Sequence, residues 1–285
     1  MIPIIDFKGP NVLDKIEEAY TTVGFAVFTN CLTEYEKTSM LVWSNKMKQF
    51  FNLPLEKKMQ YAYEGVDTNV GYTMWLKENV DPNAPKDMKE SFNYNDKRTK
   101  NWPTELTDFR TTALESIDIA DRLTLNILSK FDDIFKSGTT LVDAHITNYN
   151  TTRFIHYPAF TGSIEDKQMR IGEHSDYGTI TLLWQINDVP GLEVQDLENK
   201  WHSVPYADDG VVVNIGDLLQ RWTNDYFVST KHRVVNSHIH MKRYSMPHFV
   251  DPAEGTIIKN LTNSPDKYEP IESKEYLTWR LAQSY

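Results

Sequence analysis

Cysteine is almost missing from this chain. Cys31 stands alone among 285 residues, so no intramolecular disulfide can form and no cysteine-built zinc site can be assembled. A reducing compartment follows as an expectation. Long apolar runs are missing too: no window approaches the roughly 18 uninterrupted apolar residues that a membrane-spanning helix needs. The opening Met1-Ile-Pro-Ile-Ile-Asp6 has no basic stretch leading into an apolar core, and a cytoplasmic location is therefore expected. Basic residues are outnumbered, 30 against 40 acidic, for a net charge of -10. With no local basic stripe to offset that balance, nucleic acid is excluded as the expected partner. Internal repeats, a P-loop, a Gly-rich dinucleotide fingerprint and a Gly-x-Ser-x-Gly nucleophile elbow are absent as well, which removes several common enzyme classes.

What is present suffices for a full hydrophobic core. Of the residues, 40% are hydrophobic and 25% charged, the balance of a soluble globular chain of one large domain or two small ones. Residues 1 to about 100 open with a short strand at Ile2 to Phe7, a helix over Val12 to Thr22 and a strand over Gly24 to Asn30. A long helix follows from Thr33 to Phe51, where Thr33 and Glu36 have the spacing of a capping box. Met40, Trp43, Met47 and Phe50/Phe51 recur at helical spacing and read as core. A further helix is expected over Pro103 to Lys136, with a stripe of Leu114, Ile117, Ala120/Asp121, Leu125 and Leu128. From about Asp143 the pattern turns to short strands broken by Pro, Gly and Asn-Asp turns, with no helices between them, and a closing helix over Ser273 to Gln283. The expected fold class is α+β with a mainly β core: a distorted jelly roll, or double-stranded β-helix, flanked by helices. Two parts are expected: residues 1–100 as an N-terminal region packing on the core and covering the site, and residues 101–285 as the jelly-roll domain with a helical lead-in and a C-terminal helix.

The chemistry begins at His174-Ser-Asp176. In a strand, side chains two apart point to one face, so an imidazole and a carboxylate can converge on one point. The run Gly172 to Gln185 passes from a polar turn into β-branched and apolar residues, which places the pair at the mouth of a buried strand. A second imidazole, from His232 or from the pair His238-Ile-His240, would complete a facial triad. That arrangement leaves one side of an octahedral metal open, as in non-heme iron(II) oxygenases. Arg243 and Ser245 repeat the two-apart geometry, and a guanidinium fork beside a hydroxyl is suited to gripping a carboxylate. His145, His156, His202 and His248 carry no motif.

The order His174-x-Asp176, His232, Arg243-x-Ser245 resembles the iron(II)/2-oxoglutarate-dependent dioxygenases, in the branch that includes isopenicillin N synthase and plant flavonoid and hormone oxygenases. The likeness extends through Ile2-Pro-Ile-Ile-Asp-Phe7, Phe50-Phe-Asn-Leu-Pro54, Arg153-Phe-Ile-His-Tyr-Pro158, Pro190-Gly-Leu-Glu-Val194 and Ser229-Thr-Lys-His-Arg-Val234. The resemblance implies that His174, Asp176 and His232 bind iron(II), the centre of catalysis. It implies that Arg243 and Ser245, with Tyr157, bind the far carboxylate of 2-oxoglutarate. It further implies that O2 and the cosubstrate oxidise a small molecule by hydroxylation, desaturation or ring formation, with release of succinate and CO2. Two departures stand out. Ile155 replaces the Asn of many plant members, and Trp184 stands where a small or aliphatic residue is usual.

Within the same branch, isopenicillin N synthase and aminocyclopropane carboxylate oxidase use the Arg-x-Ser pair for the substrate's own carboxylate, so an oxidase without 2-oxoglutarate is the alternative. A non-catalytic jelly-roll binding protein is a third. The segment Tyr61 to Asn101, rich in Gly, Pro, Asn and aromatics, is long for a plain loop and is the expected substrate wall. Tyr72, Trp75, Phe92 and Tyr94, joined by Trp184, are the candidates to face the iron, because aromatics beside polar side chains suit a small-molecule pocket.

Overall fold

The computed structural model describes residues 1–81, 84–147 and 149–282. Its strands are β1 (Ile4–Asp6), β2 (Phe25–Thr29), β3 (Gly71–Thr73), β4 (Glu90–Tyr94), β5 (Thr151–Tyr157), β6 (Ile171–His174), β7 (Ile180–Gln185), β8 (Leu192–Gln195), β9 (Trp201–Ser203), β10 (Val211–Ile215), β11 (His232–Val234), β12 (Arg243–Val250), β13 (Ile257–Ile258) and β14 (Ile271–Glu272). The helices are α1 (Val12–Thr22), α2 (Glu34–Phe51), α3 (Leu55–Lys58), α4 (Phe109–Phe135), α5 (Thr140–His145), α6 (Asp217–Trp222) and α7 (Ser273–Ala282). An eight-stranded sheet in the order β1-β2-β10-β7-β12-β5-β4-β3 and a four-stranded sheet in the order β6-β11-β8-β9 make the two layers of the jelly roll. Strands from residues 1–100 and from the rest of the chain thus share one sheet.

Period-two alternation decides which side chains meet the helices. On the outer face of the large sheet, Phe154, Leu182, Trp184, Tyr244 and Met246 pack with residues of α1, α2 and α4 in the main core. On the inner face, Phe25, Ile155, Tyr157 and Val212 join Ile171, Leu192, Val194 and Val234 of the small sheet. The capping box at Thr33 is formed, with Glu36 N–H donating to Thr33 Oγ1 at 3.3 Å and Thr33 N–H to Glu36 Oε2 at 2.7 Å.

Three expectations need correction. Helix α4 begins at Phe109, not Pro103, and its buried stripe is Ala113, Ile117, Ala120, Leu123, Ile127 and Phe131. Leu114 and Leu125 flank this stripe, because the small Ala113 and Ala120 occupy the face against which neighbours pack. The segment 61–101 is not simply a loop, since β3 and β4 extend the large sheet. Glu-Ser-Phe-Asn-Tyr of β4 is buried throughout, polar residues included, so it lacks the alternation that marks a half-buried strand. Finally, α6 interrupts the strand series. It is preceded by Gly216, whose backbone lies so close to that of Gly178 that a Cβ would come within 2.2 Å of the Gly178 carbonyl oxygen, a position only glycine fits. Of the expected closing helix, Gln283 lies outside the described residues.

Buried His145 of α5 is held at both ring nitrogens, Nδ1 2.6 Å from Leu141 O and Nε2 2.9 Å from Thr179 Oγ1. Burial pushes its pKa down to about 4. The unfolded chain takes up this proton near the ordinary value of about 6.5, so stability is full above that pH and falls as the medium is acidified toward 4. The expected loss from this residue is on the order of 2 kcal/mol by pH 5. Urea midpoints at pH 7.5 and 5 check it, and His145→Gln should show the shallower dependence.

Candidate active site

The register of the small sheet brings the candidate metal ligands together. His174 closes β6 and His232 opens β11, and antiparallel pairing sets them opposite one another, with ring centroids 4.2 Å apart. Asp176 follows two residues on, its carbonyl accepting the N–H of Asp217 at 2.8 Å from the start of α6. Asp176 Oδ1 lies 4.0 Å from His174 Nε2 and 3.7 Å from His232 Nε2. Among the described residues this is the one group of three ligand-type side chains converging on a single point.

Each candidate ligand atom is oriented from behind. His174 Nδ1 is 2.9 Å from Gly172 O and His232 Nδ1 is 3.3 Å from Thr230 O. A carbonyl only accepts, so both protons sit on Nδ1 and both Nε2 lone pairs face the cluster. The outer carboxylate oxygen of Asp176, Oδ2, accepts from Thr181 Oγ1 at 2.6 Å and Asn214 Nδ2 at 2.8 Å, which aims Oδ1 inward. Burial, reinforced by His232, pushes His174 down to about 4, so it is neutral at pH 7. Burial opposes ionisation of Asp176, but His232, His174, Thr181 and Asn214 outweigh it and hold the carboxyl below its usual range. Two imidazole nitrogens and one carboxylate fit a divalent iron.

Arg243 opens β12 directly across from Tyr157 at the end of β5. Its guanidinium carbon is 4.8 Å from the centre of the Tyr157 ring, its Nη1 donates to Ser245 Oγ at 3.3 Å, and Ser245 Oγ is 3.4 Å from the Tyr157 hydroxyl. Arg243 is 1% exposed, yet Nη2 has no hydrogen-bond partner and no acidic side chain of the described residues pairs with it. A buried cation without a counter-charge costs several kcal/mol. The site fits an anion with a planar carboxylate, as the far end of 2-oxoglutarate provides.

Comparison with known proteins bears directly on this geometry. Residues 145–252 match the model of the 2OG-Fe(II) oxygenase superfamily, and residues 2–112 match that described as non-haem dioxygenase in morphine synthesis N-terminal. The proline hydroxylase buaE of Petromyces alliaceus is 32% identical over 94% of this chain and 91% of its own length. The chain belongs to the 2-oxoglutarate-iron(II) oxygenase superfamily. A full-length Neurospora crassa protein, solved in complex with alpha-KG and thymine, superposes with a TM-score of 0.88 at 31% identity, over 100% of this chain and 97% of that one. A putative 2OG-Fe(II) oxygenase family protein of Caulobacter crescentus gives a TM-score of 0.84 at 26% identity, over 99% and 98%. This oxygenase therefore uses iron(II), O2 and 2-oxoglutarate, and the cosubstrate-free oxidase alternative falls away.

A cavity of about 750 Å³ in this oxygenase is lined by His174, Asp176 and His232 and also by Tyr157, Arg243 and Ser245. The inward-facing residues of β12 run Arg243, Ser245, Pro247, Phe249, and those of the adjacent β5 run Tyr157, Ile155, Arg153, Thr151 in the opposite sense. Beyond Phe249 comes Asp251, whose carboxyl burial pushes up to about 6. Arg243, Ser245 and Tyr157 thus occupy one end and a chamber of polar side chains the other. There Glu78 receives Arg153 at 3.0 and 3.2 Å and Lys89 at 2.6 Å. Burial would raise the Glu78 carboxyl, but the two cations hold it at about 2.

The proposed aromatic wall is not where sequence reasoning put it. Tyr72, Phe92 and Tyr94 lie on the outer face of the sheet, in the helical core. Phe92 packs 5.0 Å from Phe50, and Trp43 Nε1 donates to Tyr94 OH at 2.6 Å. Trp184 has the same orientation, because Leu183 rather than its neighbour faces the cavity. Trp75 is half-buried beside Phe160, 6.2 Å away, and does not line the cavity either. The segment 61–101 does border the cavity, through Val66, Asp67, Asn69, Asn79, Val80, Lys89 and Arg98. His238 and His240 lie between β11 and β12 and do not join the metal cluster. Sequence reading missed Thr181, Asn214, Arg153 and Asp251. Asn214 carried a usable signal, a lone amide within Val211-Val-Val-Asn-Ile215.

Proposed function

We propose that His174, Asp176 and His232 hold the iron, that Arg243, Ser245 and Tyr157 hold the far carboxylate of 2-oxoglutarate, and that a small polar molecule is oxidised in the chamber toward Asp251. The observation that carries this reading is the unpartnered, fully buried Nη2 of Arg243 in the same cavity as the three converging ligand atoms. When bound, iron(II) supplies the activation of O2 that side chains cannot provide. The chain's own contribution is positional. Gly172 and Thr230 fix the imidazole tautomers, Thr181 and Asn214 aim the carboxylate, and Arg243 with Ser245 places the cosubstrate so that its keto acid can reach the metal. The side chains of Ile155, Leu183, Leu192 and Val234 give the same cavity an apolar part of its lining.

Arg98, Arg153, Lys89, Asn69, Asn79 and Asp251 offer donors and acceptors at the far end, which supports a compact hydrogen-bonding substrate over a lipid. Relatives point the same way, one named a proline hydroxylase and another solved with thymine. Free L-proline and thymine are therefore the starting compounds. Succinate release above the substrate-free rate is expected with a small polar compound of this kind; stimulation by a long-chain fatty acid alone would overturn the reading. The net charge of -10 argues against nucleic acid. No helix among the described residues is long and apolar enough to cross a membrane. Burial pushes the thiol of Cys31 up to about 12, and a lone, unreactive cysteine supports a reducing compartment such as the cytoplasm.

A further inference from the structure

Behind the clamp lies a second buried arginine that none of the roles above employs. Arg170, the residue before β6, is 0% exposed. Its Nη2 donates to the backbone carbonyls of Ile239 at 3.3 Å and Met241 at 2.5 Å, in the turn that leads into Arg243. Its Nε and Nη1 have no partner. Its guanidinium carbon lies 5.8 Å from the centre of the Tyr157 ring, the ring that also receives Arg243 at 4.8 Å. Burial, and then the like charge of Arg243, push the Arg170 guanidinium down to about 10, which still leaves it a cation at neutral pH.

Two buried cations therefore share one phenol ring, and no carboxylate of the described residues pairs with either. Carbonyl dipoles satisfy part of Arg170 but supply no net charge. Buried charges are ordinarily paired, so the imbalance is a stability cost that a bound dianion would offset. One carboxylate in the clamp neutralises one guanidinium at most, and the second then adds a long-range attraction through a low-dielectric wall.

We propose that Arg170 is a positioning residue of the cosubstrate pocket: through the Tyr157 ring its charge strengthens binding of a keto acid with a distal carboxylate and so selects 2-oxoglutarate over shorter keto acids. This rests on the clamp assignment made above for Arg243, Ser245 and Tyr157. The residue does not line the cavity, so it acts without touching the ligand.

The test is calorimetric titration of the iron-loaded protein under argon with 2-oxoglutarate and, in parallel, with 2-oxobutyrate, which has the keto acid but no distal carboxylate. Arg170→Met is expected to raise the Kd for 2-oxoglutarate about tenfold, the size of one charge acting at roughly 10 Å through an effective dielectric of about 20, and to leave that for 2-oxobutyrate unchanged. Arg170→Lys keeps the charge and should stay within about threefold of the parent. Equal weakening of both keto acids would mean a merely structural part, and no weakening of either would mean no part; both overturn the proposal. Should Arg170→Met fail to fold, Arg170→Gln carries the same comparison, because its amide can still donate to Ile239 and Met241. Arg243→Met is the control on the underlying assignment. If it leaves 2-oxoglutarate affinity unchanged, the clamp itself is misplaced, an outcome separate from Arg170 alone having no effect.

Discussion

Asp176→Ala protein, reconstituted anaerobically with iron(II), is expected to retain almost no metal while the parent retains one ion per chain. Asp176 is the single anionic donor of the cluster, its Oδ1 about equally placed between the two Nε2 atoms. Its removal leaves only two imidazoles to hold a dication, without the attraction of a full negative charge on a carboxylate that is itself buried. The surroundings allow the effect to be graded. Thr181→Val and Asn214→Ala each free the outer oxygen Oδ2 from a hydrogen bond and should weaken iron binding by about 10- to 100-fold, the usual cost of losing a group that orients a ligand. Metal content after gel filtration, with an anaerobic titration for the two milder variants, reads out the series. An Asp176→Ala protein that still bound stoichiometric iron would sink the assignment.

Arg243→Lys should be nearly as damaging to cosubstrate binding as it is harmless to the metal. Lysine keeps the charge but replaces a planar fork with a single ammonium. It cannot hold a carboxylate bidentately while also donating to Ser245, as Nη1 of Arg243 does. The expected loss is that of one charge-assisted hydrogen bond, about 1.5–3 kcal/mol, or roughly 10- to 100-fold in the Kd for 2-oxoglutarate. Iron content should be unaffected. Equal 2-oxoglutarate affinities for the two proteins would remove Arg243 from the clamp.

The pairs His174/Asp176 and Arg243/Ser245 could be singled out in the chain because each has a two-residue spacing in extended backbone, with β6 ending at His174 and Asp176 lying just beyond it. His174 and Asp176, and Arg243 and Ser245, are brought together by local geometry that any extended segment has. His232 needed sequence context, since only antiparallel pairing of β11 with β6 places it opposite His174. The substrate wall was misread for the opposite reason. Which face of a strand meets the cavity depends on register, and Tyr72, Phe92, Tyr94 and Trp184 all fall on the wrong side of that alternation. Aromatic bulk drew attention to them, yet the helical layer of Trp43, Phe50 and Phe109 is where that bulk is buried. The residues that do face the chamber are polar and scattered, Arg98, Arg153 and Asp251 among them, and a polar residue in a loop or strand carries no mark of being buried until its neighbours are known. The same applies to Arg170, whose lack of a counter-charge is a property of the fold alone.

Because β12 presents Arg243 and Phe249 on one unbroken face, the span between these two side-chain positions is set by the strand itself, about 20 Å at roughly 3.3 Å per residue. Deleting or adding one residue between them would turn either the clamp or the chamber side chains into the helical layer. A change of substrate that leaves the Arg243 end intact is therefore expected from exchanges of side chain at Pro247, Phe249 and Asp251 rather than from a change in the length of this strand.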